Sequence, residues 1–297
     1  MSQAPISQAP ISQAQGLKLL GLAVFLFGGI WPISRHALAD ATPLWFATSR
    51  AALAACAVTT VLLLMRRLAW PKRADMPALL AIGLFQVTGF FVFTHLALAM
   101  VGAGRTAILS NVTLMWLVPL SMLVLAERIS IQRWWAAGVA SLGVVIMSGP
   151  WAVDWGAPGV LVGHGLLLAA GLSWSIAIVV TRRFAPPSST LSLLPFSFGI
   201  AAVLLAGVAA WREPGGGVGP GAFWHAAFIG LVAAPIGTWA VTECGRHLNA
   251  VVASVGFLLV PVLGLALATL WLHEPLGWDL VVGGVLIVAS VVMAARG

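Results

Sequence analysis

Apolar residues run through this chain in blocks of about 20, separated by short polar stretches. A helix of that length crosses the hydrocarbon core of a bilayer, since each residue advances it by ~1.5 Å. The pattern predicts ten spans, at 17–39, 43–65, 76–98, 104–125, 132–150, 159–181, 190–211, 222–243, 248–272 and 277–296. The first block is longer than a signal-peptide core, and no convincing small-residue cleavage site follows it. It is therefore expected to remain as a span. Residues 1–16 repeat a Ser-Gln-Ala-Pro-Ile unit, cannot bury a core, and are expected to form a disordered cytoplasmic tail.

Composition removes the soluble alternatives. Hydrophobic residues make up 61% of the chain and charged residues 8%, against about 25% charge in a soluble domain. Too few polar side chains remain to cover a water-facing surface. The net charge of +7 is small, and no basic cluster marks a nucleic-acid surface, so no nucleic-acid partner is expected. Cys56 and Cys244 lie in or at the end of apolar blocks and read as buried thiols. With ten spans the loops alternate between two sides. Lys18, Arg66, Arg67, Lys72, Arg73, Arg128, Arg133, Arg182, Arg183, Arg246 and Arg296 share the side of the N-terminus, and Arg35, Arg105 and Arg212 take the other. The bias places both termini in the cytoplasm of a bacterial inner membrane.

The chain also resembles itself shifted by 147 residues: Arg35 falls on Arg182, Ile82-Gly83-Leu84 on Ile229-Gly230-Leu231, and Glu127 on Glu274. The charged pairs carry most of that signal. Five spans per repeat is an odd number, so the second copy must enter the membrane upside down. The expected fold is all-α, integral to the membrane, with ten transmembrane helices as two inverted five-helix repeats, 17–150 and 159–297. Such repeats place a shared substrate path near the bilayer midplane.

The segments "LAERISIQRWWAAGVASLGVVIM" and "LLVPVLGLALATLWLHEPLGWDLVVGGVLIVAS" resemble the ends of EamA-type repeats in the drug/metabolite transporter superfamily, and "GLSWSIAIVVTRRFA" resembles a repeat start. Pro261, Glu274 and Gly283 fit the family spacing. The first copy departs from it, with Leu114 in place of the proline and Ala136 in place of the glycine. Within the superfamily, the wealth of aromatic residues is most similar to YddG-type aromatic amino acid exporters. The resemblance implies a transporter of small molecules.

The residues supply candidates for the path. The chain has 14 Trp and no Tyr. Most of the Trp sit near span ends, where interfacial belts need no further role. Trp31, Trp116, Trp174 and Trp239 lie deeper, and an indole N–H in hydrocarbon wants a partner. The third span offers one face with Gln86, Phe90 and Phe93 and another with Thr88, Phe91 and His95. Ser110, Asn111 and Thr113 come from the fourth span, and Thr238 and Thr242 from the eighth. Pro32, Pro119, Pro235 and Pro261 free the carbonyls of Gly28, Met115, Leu231 and Phe257. The expected substrate-binding set is Trp31, Phe90, His95, Asn111, Trp174, Thr238, Trp239 and Phe257. Neutral hydrogen-bonding groups among aromatics suit a small zwitterion or neutral metabolite.

Arg50 is a charge well inside a span, open to snorkelling or to facing the cavity. Glu127 and Glu274 read as turn residues capping the helix that follows each. No zinc cluster, nucleophile triad or phosphate loop is visible, so no catalytic residue, metal or cofactor is expected. Sugar-phosphate exchange would need several deep cations, and cationic-drug pumps of the superfamily use a carboxylate in the first span, which Leu17 to Ala39 lacks. A membrane enzyme is the remaining alternative, and "HALAD" at 36–40 is too isolated to make one. The reading is a monomeric or homodimeric exporter of small amino acids or related metabolites, aromatic ones favoured, without strong proton coupling.

Overall fold

Where a chain is apolar for 20 residues, hydrocarbon leaves its backbone no partner except itself, and helix is the result. The computed structural model describes residues 13–126, 129–149, 151–154, 156–244, 248, 256, 257 and 259–296. Glu127, Arg128 and Arg246, most of the N-terminal tail and the start of the ninth expected span lie outside them.

Helix α1 is Gln13–Ala37 and α2 is Pro43–Leu64. Helix α3, Arg73–Val101, contains a π-helical stretch at Ala81–Gly89. The fourth expected span is broken in two, α4 at Ala103–Leu109 and α5 at Thr113–Leu125, with a turn through Ser110, Asn111 and Val112. Helix α6 is Ile131–Met147, α7 Val160–Arg183 and α8 Thr190–Arg212. Helix α9 runs from Pro220–Ala227 through a second π-helical stretch, Phe228–Ala233, into Ala234–Cys244. Helices α10, Leu259–Leu272, and α11, Trp278–Arg296, complete the set. Six of the described helices are long and apolar enough to cross a membrane, and four shorter ones are apolar. Among the described residues, pairing outside helices is limited to one bridge, Ala41 with Val218.

The 147-residue shift reappears in the elements. Pro43, Ala81 and Ile131 begin elements, and so do Thr190, Phe228 and Trp278 at the shifted positions. Packing follows the same pattern: α1 lies against α9 and α10, and α7 lies against α3 and α5. Glycines let backbones approach where the halves meet. A Cβ at Gly83 would lie 3.3 Å from Ile200, and one at Gly230 would lie 2.6 Å from Leu53 and 2.8 Å from the Arg50 carbonyl. Leu53 shifted by 147 is Ile200, so the same contact is made twice. Gly143 and Gly283 play a similar part between α6 and α11, where a Cβ on either would stand 2.9 Å from the other's carbonyl oxygen.

Helix starts leave N–H groups without intrahelical partners, and carboxylates from the opposite half supply them. Glu213, after α8, accepts from Leu44 N at 3.1 Å and Trp45 N at 3.3 Å at the start of α2. Asp40, after α1, accepts from Gly221 N at 2.8 Å and Ala222 N at 3.3 Å at the start of α9. Glu274 accepts from Ala103 N at 2.7 Å and Gly104 N at 2.8 Å, opening α4. The expectation that Glu274 caps the helix following it is thereby corrected: the chain reverses sharply after Gly102 (φ 85) and brings α4 beneath its carboxylate. The same end carries the Arg105–Asp279 ion pair at 2.8 Å. At the opposite end Asp75 accepts from Lys72 N, Ser188 N and Ser188 Oγ, tying the α2–α3 and α7–α8 loops together.

Two outcomes follow for stability. Gly143→Ala should cost about 1–3 kcal/mol through overpacking, whereas Gly138→Ala, with nothing within 4 Å of its Cβ, should leave thermal unfolding in detergent unchanged. Equal midpoints for the two would exclude the close α6–α11 approach. Glu274→Ala should cost about 1–3 kcal/mol, because two N–H groups lose their acceptor in a place poor in water. An alanine variant that melts with the wild type would show that those groups have another acceptor.

Candidate functional site

The third span of each half widens at the same place, and the candidate site is built around the first of these. Within Ala81–Gly89 the backbone hydrogen bonds reach five residues back, so Phe90 N bonds to Phe85 O. The wider turn exposes that carbonyl to a second donor, and Ser173 Oγ of α7 supplies one at 2.7 Å. Thr88 Oγ1 donates to Gly83 O in the same stretch at 2.7 Å. The Ser173 bond draws α7 onto α3 and sets the next residue, Trp174, against Phe90. Their ring centroids are 4.8 Å apart at 63°. On the other side Phe90 meets Trp31 of α1 at 6.4 Å and 68°. Edge-to-face aromatic contacts of this kind contribute about 0.5–1.5 kcal/mol each beyond burial.

Trp31, Phe90 and Trp174, half-buried, thus join α1, α3 and α7 in one aromatic group. Neither the Trp31 nor the Trp174 indole N–H has an acceptor among the described residues. Two further indoles are bonded: Trp116 Nε1 donates to Leu168 O at 3.1 Å and the end-lying Trp45 Nε1 to Glu213 O at 3.1 Å. Trp116 is therefore a bond between α5 and α7. Phe257 pairs edge-on with Phe27, one turn from Trp31 along α1, at 5.8 Å. A Cβ at Gly237 would lie 2.9 Å from the Phe27 ring, so α9 closes on the same wall.

Asn111 sits in the turn that breaks the fourth expected span, half-buried, with its side-chain nitrogen bonded to Ala107 O at 2.7 Å. Ser175 Oγ reaches across from α7 to Thr113 O at 3.0 Å, securing the restart of the helix as α5. Thr238 is half-buried beside Gly237. Trp239 lies elsewhere: it is 48% exposed, on the outward stripe of α9 with Phe228 and Leu231. His95 is separate from the three-ring group and is 3% exposed. Its Nδ1 lies 2.8 Å from Phe91 O and its Nε2 3.1 Å from Arg50 Nη1. A carbonyl can only accept and a guanidinium can only donate, so the ring is the neutral tautomer with its proton on Nδ1.

Several of these residues were not singled out in the sequence. Phe27, Ser173 and both π-helical stretches went unmarked, although the repeated Ile-Gly-Leu run at 82–84 and 229–231 lies inside the stretches. A groove of about 610 Å³ between α10 and α11, lined by Pro261, Leu265, Leu270 and Val285 among others, is apolar except at Thr269. Leu270 and Val285 are well exposed there, and the groove is remote from the aromatic group in character. Among the described residues no cluster of His, Cys, Asp or Glu has the composition of a metal site.

Comparison with known proteins agrees with the helical architecture. The chain is 25% identical over 281 residues to the uncharacterized transporter YvbV of Bacillus subtilis, covering 92% of this chain and 89% of that one. It is 26% identical over 291 residues to the uncharacterized transporter YdeK of the same organism, covering 93% and 95%. A crystal structure superposes with a TM-score of 0.65 at 19% identity, over 95% of this chain and 98% of the other, a likeness of fold alone. The model of the EamA-like transporter family matches residues 14–149 and again 161–296, two stretches offset by the same 147 residues that relate the helices. This multi-pass membrane protein belongs to the EamA-like transporter family.

Proposed function

We propose that the chain exports small amino acids, aromatic ones above all, by alternating access between two inverted five-helix halves. The observation that carries this reading is the Trp31–Phe90–Trp174 group, drawn from both family matches and holding two indole N–H groups with no acceptor among the described residues. Aromatic faces receive an aromatic side chain, and the indole N–H groups hydrogen-bond its polar end. Asn111 and Thr238 extend the site along the broken fourth span and α9, Phe257 extends it beside Phe27 of α1, and discontinuous helices are where such folds expose backbone groups to substrate. Inversion is supported by the repeated contacts, Gly83 on Ile200 and Gly230 on Leu53. A transport role leaves no catalytic residue to assign. Phosphate-bearing substrates fit less well, because Arg50 is the one guanidinium deep in a span among the described residues.

His95, hydrogen-bonded as a neutral ring to a permanent cation, makes a poor proton carrier. Export is then driven by the substrate gradient or by exchange. Trp174→Ala and Phe90→Ala should each lower exchange of labelled tryptophan in proteoliposomes about tenfold at unchanged expression. An imposed pH gradient should not drive uphill accumulation. Full exchange in both variants sinks the site, and pH-driven accumulation lost on changing His95 sinks the uncoupled mechanism.

The basic loops at 66–73 and 182–183 face the cytoplasm in this reading, and Gly215 to Gly221 faces outward. Cysteines placed at Gly216 should react with an impermeant reagent in whole cells, and cysteines at Arg66 or Arg182 should not. The reverse labelling pattern overturns the orientation.

A further inference from the structure

Arg50 carries a charge that no carboxylate among the described residues balances. It lies seven residues into α2, ~10 Å from the helix start at the helical rise, and is 8% exposed. Its guanidinium carbon stands 4.5 Å from the Phe91 ring centroid, and Nη1 meets His95 Nε2. Its other donors, of the five that a guanidinium carries, have no acceptor among the described residues. Neither does any carboxylate lie within ion-pair distance of it among them. Two arginines near helix ends are bonded to the fold: Arg35 donates to Leu98 O at 2.7 Å, and Arg105 bonds Met147 O and Asp279.

The repeat shows what position 50 must do for the fold. Shifted by 147 residues, Arg50 becomes Ser197, Phe90 becomes Gly237 and Phe91 becomes Thr238. Gly230 approaches the carbonyl of Arg50, and Gly83 approaches the carbonyl of Ser197, with Cβ-to-oxygen distances of 2.8 and 3.4 Å. The shared packing task is done by backbone, which serine performs as well as arginine. The cation is thus an addition peculiar to one half. Charges inside a span are costly, and they persist where they meet a partner or a substrate.

We propose that Arg50, steadied by His95 and the Phe91 face, receives the carboxylate of the transported molecule. The planar fork of a guanidinium matches the two oxygens of a carboxylate. Phe91 links this cation to the aromatic group, its centroid 6.5 Å from that of Phe90, so one ligand has its ring answered on α3 and its carboxylate on the adjoining face of α2. The second half, with serine, glycine and threonine at the corresponding positions, offers no such pair, and the carboxylate end is held toward the α1–α2 loop. The identification of an aromatic amino acid rests on the function proposed above. The carboxylate preference does not.

Thermal unfolding of the purified full chain with three indole probes tests it: tryptophan, tryptophanamide and indole-3-propionate. The wild type should bind both carboxylates at least tenfold more tightly than the amide. Arg50→Gln should remove that preference, and Arg50→Lys should weaken carboxylate binding several-fold while keeping its sign, since a point charge replaces the fork. Ser197→Ala should behave as wild type. The acid-against-amide comparison in the wild type needs no variant: equal affinity, or no response to either carboxylate, overturns the proposal. A folded Arg50→Gln protein that keeps the preference also overturns it. Arg50-dependent binding of indole-3-propionate without tryptophan exchange in proteoliposomes would instead reject the aromatic amino acid reading and leave the carboxylate site standing.

Discussion

Backbone N–H groups at the start of a helix have no partner within it, and a bilayer offers them little water. This chain answers the difficulty with carboxylates taken from the opposite half of the molecule. Glu213 closes the start of α2, Asp40 that of α9 and Glu274 that of α4. Each bond does two things: it satisfies donors whose loss costs about 1–3 kcal/mol, and it fastens one half to the other at the same end of the bundle. The Asp75–Ser188 bonds serve the opposite end.

The second departure from regular helix, in α3 and α9, shapes the middle of the molecule. Rare π-helical turns are frequent at functional sites, and here the widened turn of α3 lets Phe85 O take a second donor from Ser173. That bond, with no charge involved, decides which face of α7 meets α3. Trp174 and Phe90 come together as its consequence. Glycine at 83 and at 230 allows α8 and α2 to close on the two stretches, more tightly at 230. The halves agree in these backbone approaches and differ in the side chains between them, where Arg50, Phe90 and Phe91 stand against Ser197, Gly237 and Thr238.

Much of the architecture was readable before any coordinates. Hydropathy marks the spans because twenty apolar residues have no other stable home, and the charged pairs at offset 147 expose the repeat against a background of leucine and alanine. Trp31, Phe90 and Trp174 were each legible as deep aromatics. Their meeting was not, since it depends on a hydrogen bond between Ser173 and a backbone carbonyl. The face reading of the third span assumed 3.6 residues per turn, which the π-helical stretch does not keep. The break at Ser110, Asn111 and Val112 escaped for a related reason: the block from 104 to 125 is apolar throughout, and hydropathy records transfer from water, not the course of the hydrogen bonds.

The sequence by itself determined that the chain is a helical membrane protein, how its spans divide into two copies, and which polar and aromatic side chains lie deep in the spans. These are properties of composition and spacing, and they survive any rearrangement of the helices. Only the tertiary structure decided which partner each group takes. Glu274 serves α4 in the other half and not its own next helix, Trp116 bonds to Leu168, Trp239 faces outward, and Arg50 meets His95 and Phe91 with no carboxylate beside it among the described residues. Such pairings form between residues far apart in the chain, and they are selected by which helices can approach closely enough. That is a matter of glycine positions and hydrogen-bond geometry in three dimensions, which no linear pattern contains.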